Sequence, residues 1–200
     1  SSILFICMEF DLNKREIRSN KILSELDKLV LDFIRILEKH TDYIIISGYV
    51  SILLGRTRTT EDVDIFIKEL SLEDFSEFYS ELKQKGFWCI NAEKAEEVYS
   101  YLNDNLAVRF ARGNEAVPNF EVKFPKRKVD EEAFQDFITV KLKEGNLKIS
   151  SLERHIAFKK YYLGTDKDIE DAEHIEHAFK EQIDYDKINK LKNIIEKIKD

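Results

Sequence analysis

The chain has 200 residues, 43% of them hydrophobic, with a formal net charge of −7 and a pI near 5.3. That much apolar sequence excludes wholesale disorder and is enough for one compact core with a small appendage. The acid excess argues against a protein that coats nucleic acid over its whole surface, while leaving room for a local basic patch.

Cys7 and Cys89 are the only cysteines, too few for a disulfide framework and without zinc-site spacing around them, so a reducing, cytoplasmic setting is expected. No apolar run approaches the roughly 20 residues of a membrane span. The run Ile3-Leu4-Phe5-Ile6-Cys7 is too short for a signal segment and lacks basic residues before it. The residues ahead of Met8 are assigned no function.

Helical spacing of Ile22, Leu23, Leu26, Leu29, Val30, Phe33, Ile34 and Leu37 predicts an amphipathic helix over about 20–40. Tyr43-Ile44-Ile45-Ile46 predicts a buried strand ended by Gly48, and 50–54 a short helix closed by Gly55. Asp62-Val63-Asp64-Ile65-Phe66-Ile67 alternates as a strand does. Ser71 with Asp74 opens a further helix that Gly86 stops. Strands are expected at 87–90, 106–110 and 120–124, a helix at 92–103, and a hairpin of 137–142 with 147–149 across Gly145. From Ser150 the pattern is helical. Ser150 with Glu153 and Thr165 with Asp168 form capping pairs, and a last helix covers about 184–199. The expected fold is therefore α/β (α+β): an N-terminal helix and an α/β core over 1–149, with a helical subdomain over 150–200.

Side chains two apart on a strand share a face, so Asp62 and Asp64 project together. Two such carboxylates call for a nearby cation, and magnesium with phosphate oxygens is the natural hard partner. Two-metal phosphoryl transfer uses such a pair, although an isolated Asp-x-Asp is also an ordinary polar strand start. Upstream, Ser47-Gly48-Tyr49-Val50 lies at a strand-to-helix junction, where a glycine lets backbone N–H groups approach phosphate. Arg58 and Thr60 lie on the connection into the carboxylates, and Arg58 suits either phosphate or an acid of the chain itself.

The stretch from Ile46 to Phe66, with Ser47-Gly48 and Arg58-Thr59-Thr60-Glu61-Asp62-Val63-Asp64, resembles the signature of the DNA polymerase β-like nucleotidyltransferase superfamily. Its R-x-T-x-D-x-D ending is similar to the AbiEii-type branch of toxin–antitoxin and phage-defence proteins. The resemblance implies a mixed sheet flanked by helices, and an enzyme that moves NMP from an NTP to an acceptor hydroxyl with Mg2+, two ions in number, or with Mn2+. It implies Asp62 and Asp64 as metal ligands. It also implies a third acid on a neighbouring strand, matched by Glu121 in Asn119-Phe120-Glu121-Val122-Lys123-Phe124. Glu121 stands where aspartate is usual, and Ser47 where the first glycine is usual. The plain alternative for Glu121 is a strand glutamate opposite Lys123.

The same resemblance makes Ser47, Gly48, Tyr49, Arg58, Thr60 and Lys159 nucleotide contacts, with Tyr49 stacking on base or ribose. An aromatic at that position also suits packing, and Lys159 beside Lys160 also suits a solvated lysine. Acceptors implied are a tRNA end or a protein side chain; a small molecule, as in antibiotic-modifying relatives, is open. A cognate antitoxin is an implied partner. A second hypothesis is a non-catalytic nucleotide- or partner-binding module.

Asp168 has a structural role as the partner of Thr165, and Asp171 is placed to pair with Lys167 or Lys159. His174 and His177 and the Lys123-Lys126-Arg127-Lys128 cluster read more readily as surface than as sites, while Arg109 and Arg112 suit phosphate but nothing in the sequence fixes their direction.

Overall fold

The computed structural model describes residues 7–199. The described residues open with a hairpin, β1 (Met8–Asp11) and β2 (Glu16–Ser19), which the sequence reading did not predict. Helix α1 (Glu25–Leu37) is shorter than its apolar spacing predicts, because Ser24 caps it in a reciprocal box with Asp27. Then come β3 (Tyr43–Ile46), α2 (Gly48–Leu53), β4 (Asp62–Ile67), α3 (Leu72–Gln84), β5 (Phe87–Cys89), α4 (Ala95–Asn103), β6 (Val108–Arg112) and β7 (Asn119–Lys123). A short turn of helix, α5 (Lys128–Glu131), leads into the hairpin β8 (Phe137–Leu142) and β9 (Gly145–Ser150).

The tail holds α6 (Leu152–Ala157), a π-helical turn at Phe158–Leu163, α7 (Asp166–Ala178) and α8 (Tyr185–Lys199). The cap of α6 is Ser151, which accepts from the Arg154 N–H, rather than the expected Ser150; Ser150 is the last residue of β9. The expected Thr165–Asp168 box is present in full.

Among the described residues all the strands join one mixed sheet in the order β1-β2-β8-β9-β3-β4-β7-β6-β5. Strand β4 runs antiparallel to β3 and parallel to β7. Its burial alternates residue by residue: Val63, Ile65 and Ile67 are fully buried, while Asp62, Asp64 and Phe66 are half-buried. The buried face packs on α1 and α3, where the Phe33 ring stacks on that of Phe120 at 4.0 Å and meets Phe78 edge-on. The other face carries the carboxylates. It is covered only in part, by a small cluster of Ile44, Ala133 and Phe134 with Ile46 and Phe66 at its margin. Helices of the tail bury Leu152, Ile156, Ala172 and Ile175 in the same apolar cluster as the sheet.

Candidate active site

The parallel register of β4 and β7 sets Asp62 opposite Asn119, Asp64 opposite Glu121 and Phe66 opposite Lys123. Residues opposite one another share a face, so Asp62, Asp64, Glu121 and Lys123 emerge together. Ile46, the last residue of β3, lies across from Asp64, which brings the Ser47–Gly48 turn beside the acids. The three sequence-predicted acids and this turn thus form one neighbourhood.

The acids are already engaged. Thr60 donates from Oγ1 to the Asp62 carbonyl at 3.0 Å, so it fixes the entry into β4. Arg109, from β6, donates through Nε and Nη2 to Glu121 Oε2 at 3.2 and 2.9 Å. The Lys123 ammonium lies 3.7 Å from Asp64 Oδ1 and 3.9 Å from Glu121 Oε1. Burial pushes the Asp64 carboxyl up to about 6; Glu121 and Asp62 push the same way, and Lys123 and Lys159 oppose them.

Among the described residues no three His, Cys, Asp or Glu side chains converge as a ready-made metal cage. Magnesium does not need one: it is commonly held by one or two carboxylates, with water and substrate phosphate completing its shell. Asp62 and Asp64 supply two hard oxygen donors on one face and fit that requirement. Glu121, tied to Arg109, does not join them in this arrangement.

A cleft of about 240 Å³ opens between this face and the tail. Its walls include Ser47, Asp64, Phe66 and Lys123 from the sheet side and Arg127, Arg154, Phe158, Lys159 and Tyr162 from the facing segments. The Arg127 guanidinium lies 4.7 Å from the Tyr162 ring centre and is held by Asp130 at 2.7 and 3.0 Å. Arg154 donates to the Val129 carbonyl. His155, hydrogen-bonded to Ser51 Oγ at 2.8 Å, is pushed down to about 3 by burial, with the Lys159 charge adding to the shift, and is therefore neutral near pH 7. Sequence reasoning missed Phe66, Arg154, His155, Phe158 and Tyr162 as cleft residues. Arg154 and His155 lie on α6, while Phe158 and Tyr162 lie on the π-helical turn, which shifts the facing of side chains and has no sequence signal.

Two expected nucleotide contacts are corrected here. Tyr49 is completely buried in α2, and its hydroxyl donates to Asp27 Oδ1 at 2.8 Å, so its ring is not available to a base. Arg58 donates from Nε and Nη2 to the two Asp171 oxygens at 2.9 and 2.8 Å, and from Nη1 to the Thr59 carbonyl. With its donors engaged, it is a support rather than a phosphate ligand. Its Nη2 stands 2.5 Å from where a side chain on Gly48 would begin, so a larger residue there would push the guanidinium from its place.

Lys159 does reach the cleft, but it is buried and paired with Asp168 at 2.7 Å and Asp171 at 3.1 Å. Asp171 also accepts from Arg56, which extends its expected pairing from one base to three. His174 Nε2 contacts the Leu54 carbonyl and His177 is exposed, a structural rather than a metal-binding arrangement.

Residues 26–200 match a family described as "nucleotidyl transferase of unknown function (DUF2204)". The chain belongs to that family. Among solved structures, it is similar to an antigenic nucleotidyltransferase-like protein from Paracoccidioides brasiliensis, at 18% identity and a TM-score of 0.50. The likeness covers 86% of this chain and 88% of that one and concerns the fold. No curated protein sequence matches. The architecture of this nucleotidyl transferase family member is thus the mixed α/β sheet with flanking helices expected from its sequence. No helix among its described residues is long and apolar enough to cross a membrane.

Proposed function

We propose that this protein transfers a nucleoside monophosphate from an NTP to an acceptor hydroxyl, using Mg2+ held by Asp62 and Asp64. The observation that carries the reading is the in-register pairing of β4 with β7, which gathers Asp62, Asp64 and Glu121 on one face beside the Ser47–Gly48 turn. Magnesium bound there, or manganese in its place, supplies charge neutralisation of the phosphates and acidifies the acceptor hydroxyl.

The chain's own residues do the rest. The cleft takes the nucleotide: Phe66, Phe158 and Tyr162 offer apolar and aromatic surface, and Arg127 and Lys123 offer positive charge for phosphate. The acceptor oxygen bonds to the α-phosphorus, the bond to the bridging oxygen breaks, and pyrophosphate leaves. The acceptor's proton passes to Glu121 Oε1, the oxygen that Arg109 leaves open. Lys159 holds Asp168 and Asp171 in place at the cleft wall.

The likeness of 46–66 to the AbiEii-type branch supports a defence or toxin–antitoxin setting in the cytoplasm. A tRNA end or a protein side chain would then be the acceptor and an antitoxin the partner. Calorimetry with ATP, GTP, CTP and UTP, with and without Mg2+, tests the reading. Tight binding of one NTP only with Mg2+, and label transfer from it to an acceptor pool, supports it; no binding of any NTP contradicts it.

A second reading is a catalytically inactive nucleotide-binding module on the same fold. It draws on the Arg109 clamp on Glu121 and on Ser47 in place of the usual glycine. Nucleotide binding without transfer across broad acceptor pools is its distinguishing outcome.

A further inference from the structure

Lys123 is the cation that stands among the acids of this face. It follows Glu121 by two residues on β7, so both side chains emerge on one face of the sheet. Its ammonium stands 3.7 Å from Asp64, 3.9 Å from Glu121 and 5.7 Å from the Phe66 ring centre. Neither carboxylate distance is that of a hydrogen bond. Lys159, by comparison, closes on Asp168 at 2.7 Å. Lys123 instead sits between two acids, with 27% of its side chain exposed, on the wall of the cleft.

We propose that Lys123 is an internal counter-cation that occupies the carboxylate cluster until nucleotide arrives, and then gives up its place at Asp64 to the divalent metal. This rests on the reading of Asp62 and Asp64 as the metal pair. The physical case is electrostatic. Half-buried acids that lie together need positive charge nearby, and Lys123 supplies it at both Asp64 and Glu121. An ammonium that close to Asp64 repels an incoming dication by several times the thermal energy, even with generous screening. A long, flexible lysine stem lets the charge move a few ångströms onto phosphate oxygens without moving the strand. Metal and nucleotide then favour one another: the phosphates draw Lys123 off the acids, and the vacated position accepts the metal. Such coupling is reciprocal, so each ligand alone binds weakly.

The test is Mn2+ binding, read by the electron paramagnetic resonance of free Mn2+, on the nucleotide-free protein. Lys123→Met removes the charge and keeps the stem, and Lys123→Arg keeps the charge. Lys123→Met is expected to bind Mn2+ about tenfold more tightly than wild type, with Lys123→Arg close to wild type. The non-hydrolysable analogue α,β-methylene-ATP is expected to tighten Mn2+ binding in wild type by more than in Lys123→Met. Lys123→Gln serves as a second charge-free variant should Lys123→Met fail to fold, as judged by its melting temperature.

If the charge-free variants bind Mn2+ no more tightly than wild type, while Asp64→Asn abolishes the binding seen with analogue, the role of Lys123 is overturned and the metal pair stands. If neither wild type nor the variants bind Mn2+ with or without analogue, both ideas fall.

Discussion

Ser47 adopts φ 63° and ψ −140°, a backbone region open to glycine and costly to other residues. It makes no side-chain capping bond to α2, so nothing local offsets that cost. The superfamily pattern has glycine at this position, and the chain keeps the bend while carrying a side chain. Strain of this kind amounts to about 1–3 kcal/mol, against which glycine's extra unfolded-state freedom costs about 0.5–1 kcal/mol. Ser47→Gly is therefore expected to raise stability by about 1 kcal/mol, seen as a higher urea midpoint. A lower midpoint would show that the serine side chain contributes contacts outweighing the strain. Tyr49 and Arg58 teach a related lesson. Each has the chemistry of a nucleotide contact, and each has that chemistry taken up by a buried carboxylate, Asp27 or Asp171. Residue type alone cannot tell a ligand-facing polar group from one satisfied inside the protein, because the partner lies far away in sequence.

At the scale of elements, the loop into β4 and the tail helices are joined by one buried acid. Asp171 on α7 is fully buried and takes charge from Arg56, Arg58 and Lys159. Burial alone would raise its pKa. Hydrogen bonds from Arg58, Lys159 and Arg56 overcome that and hold it down to about 2. Asp171→Asn keeps the shape but leaves three cations short of a partner, and is expected to cost about 3 kcal/mol. The sign with pH follows from the lowered value. The wild-type advantage over Asp171→Asn is full above pH 3.8, the ordinary carboxylate value, and disappears as pH falls toward 2. Urea titrations of both proteins at pH 7, 4 and 2.5 check this, and an advantage independent of pH would contradict the network's ionic character.

The alternation of β4 was legible because period-two burial is written in the order of residues. So were the Ser71 and Thr165 caps. The β4–β7 pairing that places Glu121 beside Asp64 was reachable only through the family resemblance, since register between distant strands has no local code. Lys123 falls in the same class: once Glu121 is placed, the residue two further along the strand must share its face.

Over the whole molecule, the alternation of strands and helices predicted an α/β core and the family resemblance its mixed sheet, while the sheet's edges went unread. The hairpin β1–β2 is short and carries only partial apolar alternation, yet it extends the sheet by pairing β2 with β8. The tail was read as helical, but not its part in walling the cleft, which α6 and the π-helical turn at Phe158–Leu163 share. The sheet thus presents one face to its helices and keeps the other for an acidic pair at the mouth of a cationic, aromatic-lined cleft.

The most direct measurement of that arrangement is transfer of label from each of the four α-labelled NTPs, with Mg2+, by wild type and by Asp64→Asn. Loss of Asp64 is expected to reduce transfer by about a thousandfold or more while the protein still folds. Transfer that persists undiminished in Asp64→Asn would contradict the account, because the chemistry would then lie elsewhere than on β4.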